Sequence, residues 1–210
     1  MEQKLLLKCK AITLFAAAVL ILAGCENVFN SKNPHSKPDF NDPEELLNFA
    51  KQEVGDSVEA VVYDFFDVDS VRKVAVGIEV LNDEEWGIRF AFYKEYKDTL
   101  LLVYKTELLD GSMNESEFKA VKIDKDYNYL YYNSKSYFLG SGGGEIMAYL
   151  VDLPDRQVYY SHLFMIPNKP VSLYLSKNIK QDSIKDYFIA LFKNDYPELK
   201  IVSTDVKLSL

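Results

Sequence analysis

The chain has 210 residues, with 24 basic and 32 acidic side chains and a formal charge of −8 at neutral pH. That acidity argues against nucleic acid as a partner, because phosphate recognition needs a basic face. With only Cys9 and Cys25 available, a disulfide-stapled scaffold and a thiolate zinc site are excluded, and stability must come from an ordinary apolar core.

The first ten residues carry Lys4, Lys8 and Lys10 against the single acid Glu2, and an apolar run from Ala11 to Ala23 follows, interrupted only by Thr13. A basic start, an apolar stretch of about 7–15 residues and then small residues describe a secretory signal peptide. The run is too short to cross a bilayer, which takes about 20 apolar residues. It ends in Leu22-Ala23-Gly24-Cys25.

This tetrapeptide resembles the lipobox of bacterial lipoproteins. The resemblance implies cleavage before Cys25 and a diacylglycerol joined to its thiol. Residues 1–24 would be removed as a signal peptide, and palmitate-class acyl chains would hold the protein at a membrane. More than one buried chain gives stable anchoring at about 0.8 kcal/mol per methylene. Glu26, where inner-membrane lipoproteins commonly carry an aspartate, leans the implied location to the outer membrane. Cleavage takes away three lysines, one glutamate and Cys9, so the mature charge becomes −10 and no free thiol remains. The lipid, and not a basic patch, would then supply membrane attachment.

Residues 25–42 contain Pro34, Pro38 and His35 with little periodicity, and read as a flexible tether. A single globular domain is expected over 43–210. It opens with a helix: Asp42 can cap it, Pro43 suits the first position and Glu45 completes a capping-box pattern. Leu46, Leu47, Ala50 and Val54 recur at helical spacing before the stop at Gly55.

From 58 to 176 the pattern is that of strands, expected at 58–66, 71–81, 86–94, 99–108, 116–124, 128–133, 136–140, 145–153, 157–166 and 171–176. Turn residues separate them, including Asp110-Gly111, Asn133-Ser134 and Pro154-Asp155. The short loops favour antiparallel hairpins. Several strands, such as Val58–Phe66 and Val158–Ile166, are apolar on both faces, as strands inside a sandwich or beneath a helix must be. A second helix is expected over 182–195, where Ile184, Tyr187, Phe188, Leu191 and Phe192 form one stripe and Ser183 with Asp186 resembles a capping box. A last strand follows at 199–208. The fold class is α+β, mainly β: an antiparallel meander forming a sandwich or open barrel, flanked by an N-terminal helix and a C-terminal helix with a final strand. This order is loosely similar to lipocalin-like barrels and to the open barrels that carry lipids in bacterial envelopes.

Four groups of residues invite a chemical reading. Asp64, Asp67 and Asp69 place oxygen ligands at near-alternating positions, as calcium prefers, and the stretch resembles the aspartate loop of FG-GAP repeats while lacking its glycine. Gly140, Gly142, Gly143 and Gly144 surround Ser141 and could expose backbone amides or form the lip of a cleft. His162 is the one histidine outside the tether and the only base that could serve Ser141. Tyr127, Tyr129 and Tyr131 share one face of a hairpin over 127–137 and could stack on a sugar or peptide. Trp86, the sole tryptophan, begins an apolar strand and reads as core. No cofactor motif is present. The expected function is a non-enzymatic binding or interaction module for an envelope protein, glycan or lipid, using the glycine segment, the tyrosines and His162. A hydrolase built on Ser141 and His162 and a structural subunit of an envelope complex are the alternatives.

Overall fold

The computed structural model describes residues 38–82, 84–113, 117–137 and 142–204. Cys25, residues 26–37 of the expected tether, Gly140, Ser141 and the end of the expected last strand lie outside the described residues. The last part of the expected tether belongs to the domain instead: Phe40 is buried, with its ring 5.6 Å from that of Phe49 and 5.1 Å from that of Tyr63.

Helix α1 (Pro43–Val54) starts as the sequence dictates. One Asp42 carboxylate oxygen accepts the backbone N–H groups of Glu44 at 2.9 Å and Glu45 at 3.2 Å. These are donors that the first helical turn leaves unpaired. Strands β1 (Val58–Asp64), β2 (Lys73–Leu81), β3 (Trp86–Tyr96) and β4 (Thr99–Lys105) pair in chain order as an antiparallel sheet. Strands β5 (Glu117–Val121), β6 (Tyr129–Tyr137), β7 (Gly144–Asp152), β8 (Gln157–Met165) and β9 (Ser172–Ser176) form a second antiparallel meander. Helix α2 (Asp182–Lys193) then returns the chain, and β10 (Lys200–Thr204) joins β9 in parallel. Parallel pairing of sequential strands needs such a crossover. Neither sheet closes on itself, so the barrel likeness gives way to two open sheets.

Three apolar layers hold these elements together. Between the sheets, Phe66, Ala75, Ile88, Phe90 and Phe92 meet Leu130, Tyr132, Met147, Tyr149 and Val151. On the outer face of the four-stranded sheet, Leu46 and Ala50 of α1 cover Val58, Val74, Val76 and Ala91. On the outer face of the six-stranded sheet, Ile184, Phe188 and Phe192 of α2 cover Tyr129, Tyr131, Leu150 and Leu163. The order is helix, sheet, sheet, helix. The central strands of both sheets are therefore covered on both faces, which accounts for strands apolar on every position, while the edge strand β4 leaves Leu101 and Leu102 exposed.

Two local expectations fail for identifiable reasons. Asn133-Ser134 makes no turn: β6 runs straight through it and unites the two expected strands. Glu117 of β5 and Ala148 of β7 flank Asn133 on either side. The Asn133 amide accepts the Glu117 N–H at 3.1 Å and donates to the Tyr131 hydroxyl at 3.0 Å. With its polar atoms satisfied inside the sheet, the residue loses its local reason to turn. Ser183 likewise does not cap α2. Its hydroxyl donates to Asp124, and Gln181 occupies the cap without a side-chain bond to the helix's first turn.

Candidate functional site

The inward faces of the two sheets are aromatic along most of their length and turn polar at one end. Register explains how. Ser134 of β6, Met147 of β7 and His162 of β8 are direct partners across the sheet. Side chains two residues apart on a strand share a face, so Glu145 stands beside Met147 and points the same way as Tyr149 and Val151 behind it. The β4–β5 connection lies opposite and brings in Asp110, Gly111 and Ser112, and Trp86 closes the rim from the start of β3. Together with Lys135 these residues line a cleft of about 350 Å³.

The wall formed by the β4–β5 connection is firmly held. Ile88 and Leu109 exchange two backbone hydrogen bonds of 2.9 Å, and Thr106 bonds Phe90 through both its N–H and its hydroxyl. Two tyrosines buried between the sheets then reach it. Tyr149 donates its hydroxyl to the Asp110 carbonyl at 2.9 Å, and Tyr132 donates to the Ser112 carbonyl. Gly87 lets the connection come this close. A Cβ at Gly87 would stand 2.4 Å from the Leu109 carbonyl oxygen.

Within the cleft, His162 Nε2 and Glu145 Oε2 are 2.9 Å apart, and both side chains are part-buried. The His162 ring also sits edge-on to Phe164, with centroids 5.7 Å apart. Asp110 is half-buried. Burial, and then the neighbouring Glu145 charge, push its pKa above the usual aspartate value, and His162 pulls the other way. Burial and the Asp110 charge also push up the pKa of Tyr160 on β8.

The expected site residues meet different fates. His162 is in the cleft. Gly143 and Gly144 are buried, and Gly142 is exposed at φ +64°. These glycines lead the chain into Glu145 and, among the described residues, do not line the cleft. Ser141 and Gly140 lie outside the described residues, so a Ser141–His162 couple is not part of the geometry. Tyr127, Tyr129 and Tyr131 are not a stacking ladder: at 6%, 0% and 1% exposure their rings are packing elements. Tyr129 and Tyr131 lie under α2, and Tyr127 and Tyr129 turn their hydroxyls to Asp152 at 3.1 Å and Asp124 at 2.9 Å. The reason is the second helix, which covers the face that a two-layer sandwich would leave open.

Asp64, Asp67 and Asp69 do not form a calcium loop. The cation there is the buried ammonium of Lys73, 2.7 Å and 2.8 Å from the Asp69 oxygens and 3.3 Å from Asp67. Burial alone would raise the Asp69 pKa, but the bond from Lys73 helps hold it below the usual carboxylate value. Asp64 is turned to the Phe65 N–H at 2.7 Å and to the Asn128 amide at 3.0 Å. Among the described residues no set of three or more acidic, histidine or cysteine side chains could hold a metal ion.

From the sequence, Trp86 reads as core, Asp110 as part of a turn, and Glu145 has no assigned role. Trp86 is 50% exposed, against the core role expected for it. Glu145 did carry a signal: it falls on the inward parity of a strand whose other inward residues, Met147, Tyr149 and Val151, are apolar. Asp110 was hidden inside an ordinary Asp-Gly turn pattern. Comparison of the chain with protein-family models, curated proteins and solved structures gives no match.

Proposed function

We propose that the protein is a lipid-anchored binding module of a bacterial envelope, tethered through Cys25 to the outer membrane, whose ligand occupies the cleft at the polar end of the sandwich. The observation that carries the binding role is the local reversal of chemistry on an inward-facing surface. Elsewhere the space between the sheets is filled by Phe66, Phe90, Phe92, Tyr132 and Tyr149, all buried. At the cleft the same face presents the part-buried Glu145 and His162, with the buried Ser134 behind them, beside a half-exposed tryptophan. An apolar concavity with a few convergent polar groups is the usual form of a small-molecule site. The filled interior argues against lipid carriage between the sheets. His162 is oriented by Glu145, and among the described residues no serine, threonine or cysteine bonds to it, which favours binding over covalent hydrolysis.

Anchoring rests on the Leu22-Ala23-Gly24-Cys25 pattern. Among the described residues no helix is long and apolar enough to cross a membrane, and the acyl chains would supply the attachment. One preparation tests both parts. Cells making wild-type protein or Cys25→Ser are fractionated, and the purified proteins are screened against small polar metabolites by the fluorescence of Trp86, the only tryptophan. Membrane association lost with Cys25→Ser, and saturable quenching by some ligand, are expected. A Cys25→Ser protein that stays with the outer membrane refutes the anchor, and a Trp86 signal that no small molecule alters refutes the cleft.

A further inference from the structure

We propose that the cleft takes a small molecule bearing a protonated amine, with the ammonium group held between the Asp110 carboxylate and the Trp86 indole. The proposal rests on the cleft being a binding site and names the class of ligand it suits.

Asp110 supplies the first argument. Its backbone carbonyl is fixed by the Tyr149 hydroxyl, so its side chain has a set origin in the cleft wall. Among the described residues its carboxylate has no hydrogen-bond or ion-pair partner, although it is half-buried. Removing a carboxylate from water without such compensation is unfavourable. The charged groups that act on it are Glu145, which opposes its ionisation, and His162, which favours it. Lys135 also lines the cleft, but it is exposed and forms no ion pair among the described residues. Two carboxylates thus share one concave surface with His162, which bonds Glu145 and leaves Asp110 without a partner among the described residues, and with the exposed Lys135. A cation entering the cleft is attracted by both and relieves their mutual repulsion.

Trp86 supplies the second argument. Half of its surface remains open on the rim of the same cleft. An indole is the strongest side-chain partner for an ammonium through its ring quadrupole, and it also covers the apolar body of a ligand. A neutral sugar would use the indole and have no need of a second carboxylate. An anion would meet two like charges, with only the exposed Lys135 to offset them. The cleft volume of about 350 Å³ is at the small end of ligand sites, which limits the occupant to a single ring or a short chain.

The test uses purified full-length protein at pH 7 and three probes: cyclohexylamine, which is protonated at that pH, cyclohexanol and glucose. Trp86 fluorescence reads affinity, and amide shifts at Ser134, Glu145 and His162 read location. Cyclohexylamine is expected to bind in the cleft at least tenfold more tightly than cyclohexanol. Asp110→Asn should weaken the amine at least tenfold and leave cyclohexanol unchanged, while Glu84→Gln, an exposed carboxylate outside the cleft, changes neither. Among the described residues the Asp110 side chain makes no hydrogen bond or ion pair, so its loss should spare the fold, and the amine–alcohol comparison in wild-type protein stands without the variant. Equal or tighter binding of cyclohexanol or glucose in the cleft overturns the amine proposal and leaves the binding role intact. An amine affinity indifferent to Asp110→Asn does the same. Failure of all three probes to bind there overturns both.

Discussion

Gly87→Ala is the sharpest test of how the cleft wall is built. Gly87 has φ +150°, and a Cβ there would lie 2.4 Å from the Leu109 carbonyl oxygen and 3.2 Å from Leu108 Cγ. Ordinary contact begins near 3.4 Å, so the connection must retreat by about 1 Å or β3 must distort. A retreat of that size takes the paired Ile88 and Leu109 hydrogen bonds, both 2.9 Å, beyond bonding range. Two such bonds contribute about 0.5–1.5 kcal/mol each, and an alanine held at this φ costs about 1–3 kcal/mol more. With partial relaxation the sum is about 2–4 kcal/mol. For a domain of this size that lowers Tm by about 5–15 °C. Urea denaturation followed by circular dichroism measures it, and the emission maximum of the adjacent Trp86 reports the displaced wall. Gly142→Ala is the control: φ is +64° and nothing lies within 4 Å, so only backbone strain of about 1 kcal/mol is at stake. A Gly87→Ala protein within 0.5 kcal/mol of wild type, or no more destabilised than Gly142→Ala, would refute the claim that close backbone approach fixes the wall.

Two further outcomes follow from buried charge. Asp152 is fully buried, with one oxygen accepting from Tyr127 and Asp155 and the other, Oδ2, unpartnered. Burial raises its folded-state pKa above the usual value. The folded state therefore holds this proton more tightly than the unfolded state does. Its stabilising contribution is complete below about pH 3.9 and is lost as pH rises through the folded pKa. The stability of wild type minus that of Asp152→Asn, measured by urea denaturation across a pH series, should fall with rising pH. A flat or rising difference sinks the assignment. At the other buried charge, Lys73 already neutralises Asp67 and Asp69, so millimolar calcium should leave the wild-type Tm unchanged. A calcium-dependent rise, the mark of binding to the folded state, would show that the turn accepts a metal after all.

The layers were legible in the sequence because their signals are repeated along many residues. Alternation and doubly apolar runs set the strands, the 3.6-residue stripes set both helices, and Asp42, Pro43 and Gly55 marked the ends of the first. Pairing was less legible where a polar residue had a tertiary use. Asn133 reads as a turn former in isolation, and only the strand on each side of it shows that its amide is already satisfied. The same limitation hid the site. The tyrosines at 127–131 look like a surface ladder until α2 is laid over them. Asp110 looks like half of a turn until Tyr149 fixes its carbonyl beside Glu145. Trp86 looks like core because its strand is apolar, yet it falls at the strand's first residue, where the packed layer gives way to the cleft and half of the ring stays open.

The dependence of the cleft on its core has a consequence for how the two can vary. Tyr132 and Tyr149 are buried rings of the intersheet layer, and their hydroxyls are also the posts on which Ser112 and Asp110 hang. Burial, followed by the Asp110 charge, pushes the Tyr149 pKa far up, so its hydroxyl remains a donor throughout the range in which the domain is folded. Phenylalanine at either position would fill the same space and lose the post, leaving a carbonyl of the wall without its donor at a cost of about 1–3 kcal/mol. Packing therefore asks for an aromatic ring at these two sites, and the wall asks for the hydroxyl that makes it tyrosine. An aromatic interior this rich in tyrosine is what an edge-open sandwich needs if the polar cleft at its end is to keep a fixed shape.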